Sequence, residues 1–333
     1  MLSRRLKLGI GIIVLVMPVL AYAFLKYVHP FGLEPWMVKE WLSKAFYNPV
    51  VRLVRDTLLT PAFFIVVGLT LTMEKLFPAD PKQNMFGVSF WQDLVWFFYE
   101  TVLQAIVITT YVYWLKQIYN KHFSFLTVEA VASWPDWSRF VLGVVLLDFL
   151  YWLQHYLNHK VPWFWQFHTV HHSQKEVNFF TDFRYHIVEY IVRHTILVIP
   201  FLLLKVDTPT IVAFSVFRRW YTRFYHGNIR TNLGPLRYIL VTPQSHRVHH
   251  SKLPQHRDLN FGSLFSIWDY LFKTQYRGYE EYPETGIADQ EFPHEKEAAF
   301  PKVIFMPLVQ LAYPFRVIGG QIKRILKNGT DPA

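Results

Sequence analysis

The chain has 333 residues, 52% of them hydrophobic, 18% aromatic and only 17% charged, against about 25% charged in ordinary soluble domains. This balance excludes a typical soluble protein and points to an integral membrane protein with an aqueous part. The chain has no cysteine, so disulfides, thiolate metal sites and iron–sulfur clusters are excluded as well. A net charge of +10 suits nucleic acid or a membrane surface. The apolar segments favour the membrane, and no nucleic-acid partner is expected.

Arg4, Arg5 and Lys7 precede the apolar run LGIGIIVLVMPVLAYAFL. This reads as a first membrane helix with its N-terminus inside. A signal peptide cleaved after Ala21-Tyr22-Ala23 is the rival reading. Residues 26–56 mix aromatics with lysine and arginine, as an interfacial helix does. Spans are expected over residues 58–77 and 94–115, the second with Trp and Tyr at both ends. Phe140–Trp152 continues into His155 as the next helix. Ile187–Val206 and Thr208–His226 form a hairpin around Asp207-Thr208-Pro209, each arm about 28 Å long if helical. Residues 227–333 are polar, aromatic and proline-rich, and read as a cap without a full span.

The expected fold is an all-α integral membrane protein. It is a multi-span helix bundle of about four to six spans, hairpin included, with a cytosolic histidine-rich catalytic cap. Membrane helices and the interfacial segment occupy residues 1–138. A catalytic domain with the hairpin 187–226 occupies 139–275, and a cytosolic tail 276–333. With the N-terminus inside, the alternation of spans puts every histidine box on the cytoplasmic face of a bacterial inner membrane or the endoplasmic reticulum. Arg218, Arg219, Arg223, Arg230, Arg237, Arg247, Lys252 and Arg257 cluster on that side, as the positive-inside rule requires. The basic segment 26–56, on the opposite side, speaks less clearly.

Eight of the fifteen histidines lie in three boxes: His155 and His159; His168, His171 and His172; His246, His249 and His250. Imidazoles three and four residues apart share a helix face. A purely structural role would leave many of them unpartnered near a membrane, at about 1–3 kcal/mol each, so a metal site is the better reading. His226, ending the hairpin, and His186, starting it, join the set by position. His29, His122, His194, His256 and His294 belong to no box. Eight to ten imidazoles exceed the four to six ligands of one ion, so two ions are expected. Imidazole suits zinc, copper, iron or nickel. Catalytic zinc needs only three protein ligands, which favours a redox pair of iron ions. Asp148, two turns before His155, reads as an acceptor for a ligand imidazole N–H, with an arginine pair as the alternative. Arg184 and Glu189 read as a pair bracing the box, or as a plain surface salt bridge.

The combined pattern resembles the fatty acid hydroxylase and sterol desaturase superfamily of membrane-bound di-iron enzymes, from about Asp148 to Thr274. The resemblance rests on Asp148-x2-Tyr151-Trp152-x2-His155-x3-His159 and His168-x2-His171-His172. It continues through Asn178, Arg184-x-His186-x2-Glu189 and His226-Gly227-Asn228, then His246-x2-His249-His250-Ser251, and ends with Asn260-Phe261-Gly262 and Trp268-Asp269. Ile187 departs from it, since the family often has proline there. The resemblance implies two iron ions, molecular oxygen as co-substrate and an external electron donor of cytochrome b5 or ferredoxin type. It also implies hydroxylation or desaturation of a lipid taken from the bilayer, a sterol, fatty acyl chain or related molecule. Asn260 and Asp269 would support the ligands. A zinc-dependent membrane hydrolase, active without reductant, is the alternative.

Overall fold

A computed structural model of the protein describes residues 61–106, 111–205, 208–294 and 302–328. The first membrane helix and the interfacial segment, expected before residue 57, lie outside the described residues. The principal helices are α1 (Pro61–Leu76), α2 (Val88–Ile106), α3 (Asp136–Lys160), α4 (Pro162–His172), α5 (Ile187–Leu204), α6 (Thr208–His226), α7 (Pro243–His249), α8 (Ile267–Leu271) and α9 (Lys302–Asn328). Short helical turns and loops join them. Among the described residues there is no strand, only isolated bridges such as Leu240 to Phe265. The all-helical expectation holds.

The central device is the corner between α3 and α4. The leucine-rich stretch of α3 runs unbroken through His155 and His159 to Lys160. It stops there because a residue before proline avoids the helical region, and Val161 is extended (φ −94°, ψ 115°). Pro162 then opens α4, where its missing N–H costs nothing. The corner packs α4 back against α3 and brings two histidine boxes face to face. The third box lies on α7, whose start is fixed by a capping box: Thr242 accepts from the Ser245 N–H, and the Ser245 hydroxyl accepts from the Thr242 N–H.

Three described helices are long and apolar enough to cross a membrane: Trp137–Lys160, Ile187–Leu204 and Lys302–Arg324. The third corrects the reading of residues 227–333 as free of spans. Pro307 and Pro314 and the flanking Lys and Arg residues break the apolar run, yet α9 remains helical across both prolines. It packs on α2 and α4. The helix expected from residue 94 begins at Val88. Its polar first turns are buried: Gln92 is 1% exposed and Asp93 is fully buried.

The positive-inside count also needs correction. Arg218, Arg223 and Arg247 are buried, and Arg219 pairs with Glu100. These cations serve internal contacts, so they do not mark a surface. Apolar packing flanks the histidines. Phe90, Phe179, Phe180 and Phe183 form one cluster; Leu147, Tyr151, Leu197, Phe201, Phe214 and Leu264 form another. Each such buried side chain contributes about 1.5–3 kcal/mol.

Candidate metal centre

Nine histidines gather into two groups. His155, His159, His168, His172 and His249 form the first, and His171, His226, His246 and His250 the second; within each, one nitrogen per ring lies within 4.8 Å of every other. Neighbours in sequence are divided between them. His168 and His172 join the first group and His171 the second, whereas His246 and His250 join the second and His249 the first. Successive helical residues point about 100° apart, while residues i and i+4 nearly align. Each H-x2-H-H box therefore serves both groups.

In four of the rings the nitrogen turned away from the centre is held by an oxygen acceptor. His155 Nδ1 donates to the Phe261 carbonyl at 3.0 Å, His249 Nδ1 to the Leu259 carbonyl at 2.8 Å and His226 Nδ1 to the Thr222 carbonyl at 2.6 Å. His168 Nδ1 donates to the Glu189 carboxylate at 3.0 Å. Such bonds fix the tautomer and leave Nε2 with a free lone pair. The Nε2 atoms of His155, His168 and His249 are buried without any partner. In the second group, His226 Nε2 lies 3.3 Å from His171 Nε2 and 2.8 Å from His246 Nε2, and His246 Nε2 lies 3.1 Å from His250 Nε2. Nitrogens sharing one ion at metal–nitrogen distances near 2.1 Å stand about 3.0–3.4 Å apart. The donor set thus fits two metal ions.

The electrostatics agree. Burial, reinforced by neighbouring imidazoles, pushes His171, His172, His246 and His250 well below the usual histidine range. Burial brings His249 down to about 3, against the opposing bond to Leu259. These rings are neutral at ordinary pH, the form that coordinates metals.

His186 stands outside both groups. Its Nδ1 accepts the Val188 N–H at 3.1 Å, capping α5, and its Nε2 donates to the Leu311 carbonyl at 2.9 Å. Both nitrogens are committed. Asp148 does not bind an imidazole N–H: its carboxylate accepts from the Leu264 and Phe265 N–H groups and the Trp268 indole, tying α3 to the cap. Arg184 and Glu189 are not partners either. Arg184 donates to Asp93 at 2.8 Å with both side chains fully buried, and to Ser173 and Gln310. Asp93 also accepts from Gln174, Asn178 and Thr181. Glu189 accepts from His168 and Asn158.

Asn260 and Asp269 act one step away from the rings. Asp269 accepts from the Trp152 indole, Thr274 and the Phe261 and Gly262 N–H groups. Asn260, at φ 60°, donates to the Ser245 carbonyl. Together they set the loop whose carbonyls orient His249 and His155. A side chain at Gly262 would meet the Phe265 carbonyl at 2.9 Å and Val241 at 2.7 Å, so glycine is required there. Asp93, Asn158 and Asp182, whose carboxylate accepts from Thr222 and lies 3.8 Å from His226 Nδ1, carry no box signal. Their only trace in the sequence is a polar residue within an apolar stretch. A cavity of about 40 Å³ borders His155, His168, His171, His226 and His246.

Fold and site together define a helical membrane protein whose histidine boxes converge on two candidate metal positions. The comparisons agree. The fatty acid hydroxylase family model matches residues 140–274. The chain is 28% identical over 200 residues to ornithine lipid hydroxylase OlsE of Rhizobium tropici, covering 58% of this chain and 57% of that protein. It is 30% identical to the alkylglycerol monooxygenase of Danio rerio, covering 72% and 51%. It is 32% identical to that of Homo sapiens, covering 51% and 36%. The chain spans about half the length, or less, of these relatives. No solved structure matches. Residues 140–274 thus form a fatty acid hydroxylase domain.

Proposed function

We propose that the protein is a membrane-bound di-iron oxygenase that hydroxylates a lipid at an unactivated C–H bond. The carrying observation is the separation of nine imidazoles into a group of five and a group of four. One catalytic zinc needs three protein ligands, and nine neutral nitrogens suit two redox ions better. The residues that would hold them are His155, His159, His168, His172 and His249 for one, and His171, His226, His246 and His250 for the other. Bound iron would supply reductive activation of oxygen and insertion of one oxygen atom into the lipid. The second oxygen atom leaves as water, with two electrons and two protons from outside. The electrons come from a separate donor of cytochrome b5 or ferredoxin type. The matched relatives are hydroxylases and monooxygenases, which supports hydroxylation over desaturation.

The protein's own residues orient and exclude. The Leu259, Phe261 and Thr222 carbonyls and Glu189 hold four rings in the tautomer that presents Nε2. Burial leaves the four rings of the second group at most 3% exposed. In this reading the chain divides into a membrane segment 1–138, a catalytic unit 139–275 and a C-terminal segment 276–333, which braces the catalytic unit through Gln310 and Arg184. The boxes face the cytoplasm.

Elemental analysis of the purified chain, with lipid mass spectrometry under isotopically labelled oxygen, tests this. Two irons per chain and one labelled oxygen atom in the lipid product are expected. A single metal with turnover undiminished in the absence of oxygen would overturn it and favour the zinc hydrolase.

A further inference from the structure

The cavity beside the histidine groups is lined by cations and hydrogen-bond donors, an unexpected wall for a lipid pocket. Arg193 and Arg218 both line it and are 8% and 7% exposed. The Arg193 guanidinium lies 3.9 Å over the Tyr185 ring, and Tyr185 stacks on His171 with 9° between the ring planes. Its Nε and Nη2 have no hydrogen-bond partner. Arg218 lies 3.6 Å over Tyr151 and donates Nη1 to Ser263 at 2.8 Å, but its Nε is unpartnered. Gln154, 5% exposed and in the same wall, leaves its Nε2 unpartnered. Glu189 is the one carboxylate in the lining, and its Oε1 is already taken by His168 and Asn158.

We propose that this cavity receives the polar end of the lipid substrate, and that Arg193, assisted by Arg218 and Gln154, binds an oxyanion there, a carboxylate or a phosphate. The proposal rests on the reading of the protein as a lipid oxygenase. A guanidinium cannot shed its proton in a protein, and a buried cation without a counter-charge is costly. Glu189, whose Oε2 is unpartnered, offsets Arg193 electrostatically, and Asp148 offsets Arg218; it is the guanidinium and amide N–H groups that no oxygen accepts that leave a place for an oxyanion. Size points the same way. About 40 Å³ admits roughly three water-sized groups. That is room for the oxygens of a carboxylate or a phosphate. Arg193 is a substrate-positioning residue in this scheme, one aromatic ring removed from a candidate ligand.

The test measures binding to the metal-loaded full chain in nanodiscs of neutral lipid. The probes are N-dodecanoylglycine (carboxylate), dodecyl phosphate (phosphate) and 1-O-dodecylglycerol (neutral). One or both anionic probes should bind about tenfold or more tighter than the neutral one, and which one does identifies the oxyanion. Arg193→Gln should erase that preference while metal content stays at the wild-type level. Arg193→Lys should keep part of it. Equal binding of all three probes, or an undiminished preference in both Arg193→Gln and Arg218→Gln, would overturn the proposal. Because binding is read without turnover, failure of the oxygenase reading appears separately, as the absence of any oxidised lipid from the wild-type protein.

Discussion

The carboxylate of Glu189 on α5 accepts the Nδ1–H of His168 on α4 at 3.0 Å, with both side chains about 3% exposed. This bond joins α5 to the first histidine group and sets the tautomer of one candidate ligand. Partners of this kind change metal affinity by about 10–100-fold when lost. Glu189→Gln keeps the shape and removes the charge. Iron retention against a chelator, followed by elemental analysis, should weaken by about that factor, with the helical circular dichroism unchanged. Wild-type retention would show that Glu189 has no part in holding metal.

His171 belongs to the four-histidine group. His171→Ala should abolish turnover and lower the stoichiometry from two irons toward one, leaving membrane insertion intact. Full retained activity would refute its role as a ligand.

His186 separates the box pattern from the site. Its nitrogens cap α5 and bind Leu311. His186→Ala should cost about 1 kcal/mol of stability, as loss of a cap does, while two metals remain bound. A drop in metal stoichiometry would return His186 to the ligand set.

The Arg184–Asp93 pair is fully buried and shares its oxygens with Gln174, Asn178 and Thr181. Removing one partner strands the other charge, at about 3–5 kcal/mol. Asp93→Ala should therefore destabilise the protein by that order in thermal unfolding in detergent. Asp93→Leu combined with Arg184→Met should cost less than either single change, because no buried charge is left alone.

Acid sensitivity follows from the depressed histidines. In the unfolded chain they take up protons near pH 6.5; in the folded chain burial holds them far lower, His249 at about 3. Below pH 6.5 the unfolded state therefore binds more protons, and stability falls with pH. Each histidine contributes about 1.4 kcal/mol per pH unit until its folded value is reached. Metal-stripped protein should melt progressively lower from pH 6.5 downwards, and above pH 7 these groups should have little effect. A flat melting profile between pH 4 and 6.5 would contradict this.

The sequence by itself determined what depends on near neighbours. The apolar runs gave a helical membrane protein, the i, i+3 and i+4 spacing put imidazoles on shared faces, and the count pointed to two ions. Helix geometry turns His171 and His172 about 100° apart; only the tertiary structure decided which rings of the other helices each one meets, His155, His159 and His249 for His172 and His226, His246 and His250 for His171. It also decided which polar residues serve the rings. The Leu259 and Phe261 carbonyls hold His249 and His155, and a main-chain oxygen carries no residue identity to read. Asp148, Arg184 and His186 had the right residue types at the right level. Their partners come from segments far along the chain, Leu264, Asp93 and Leu311, and that packing drew them away from the rings.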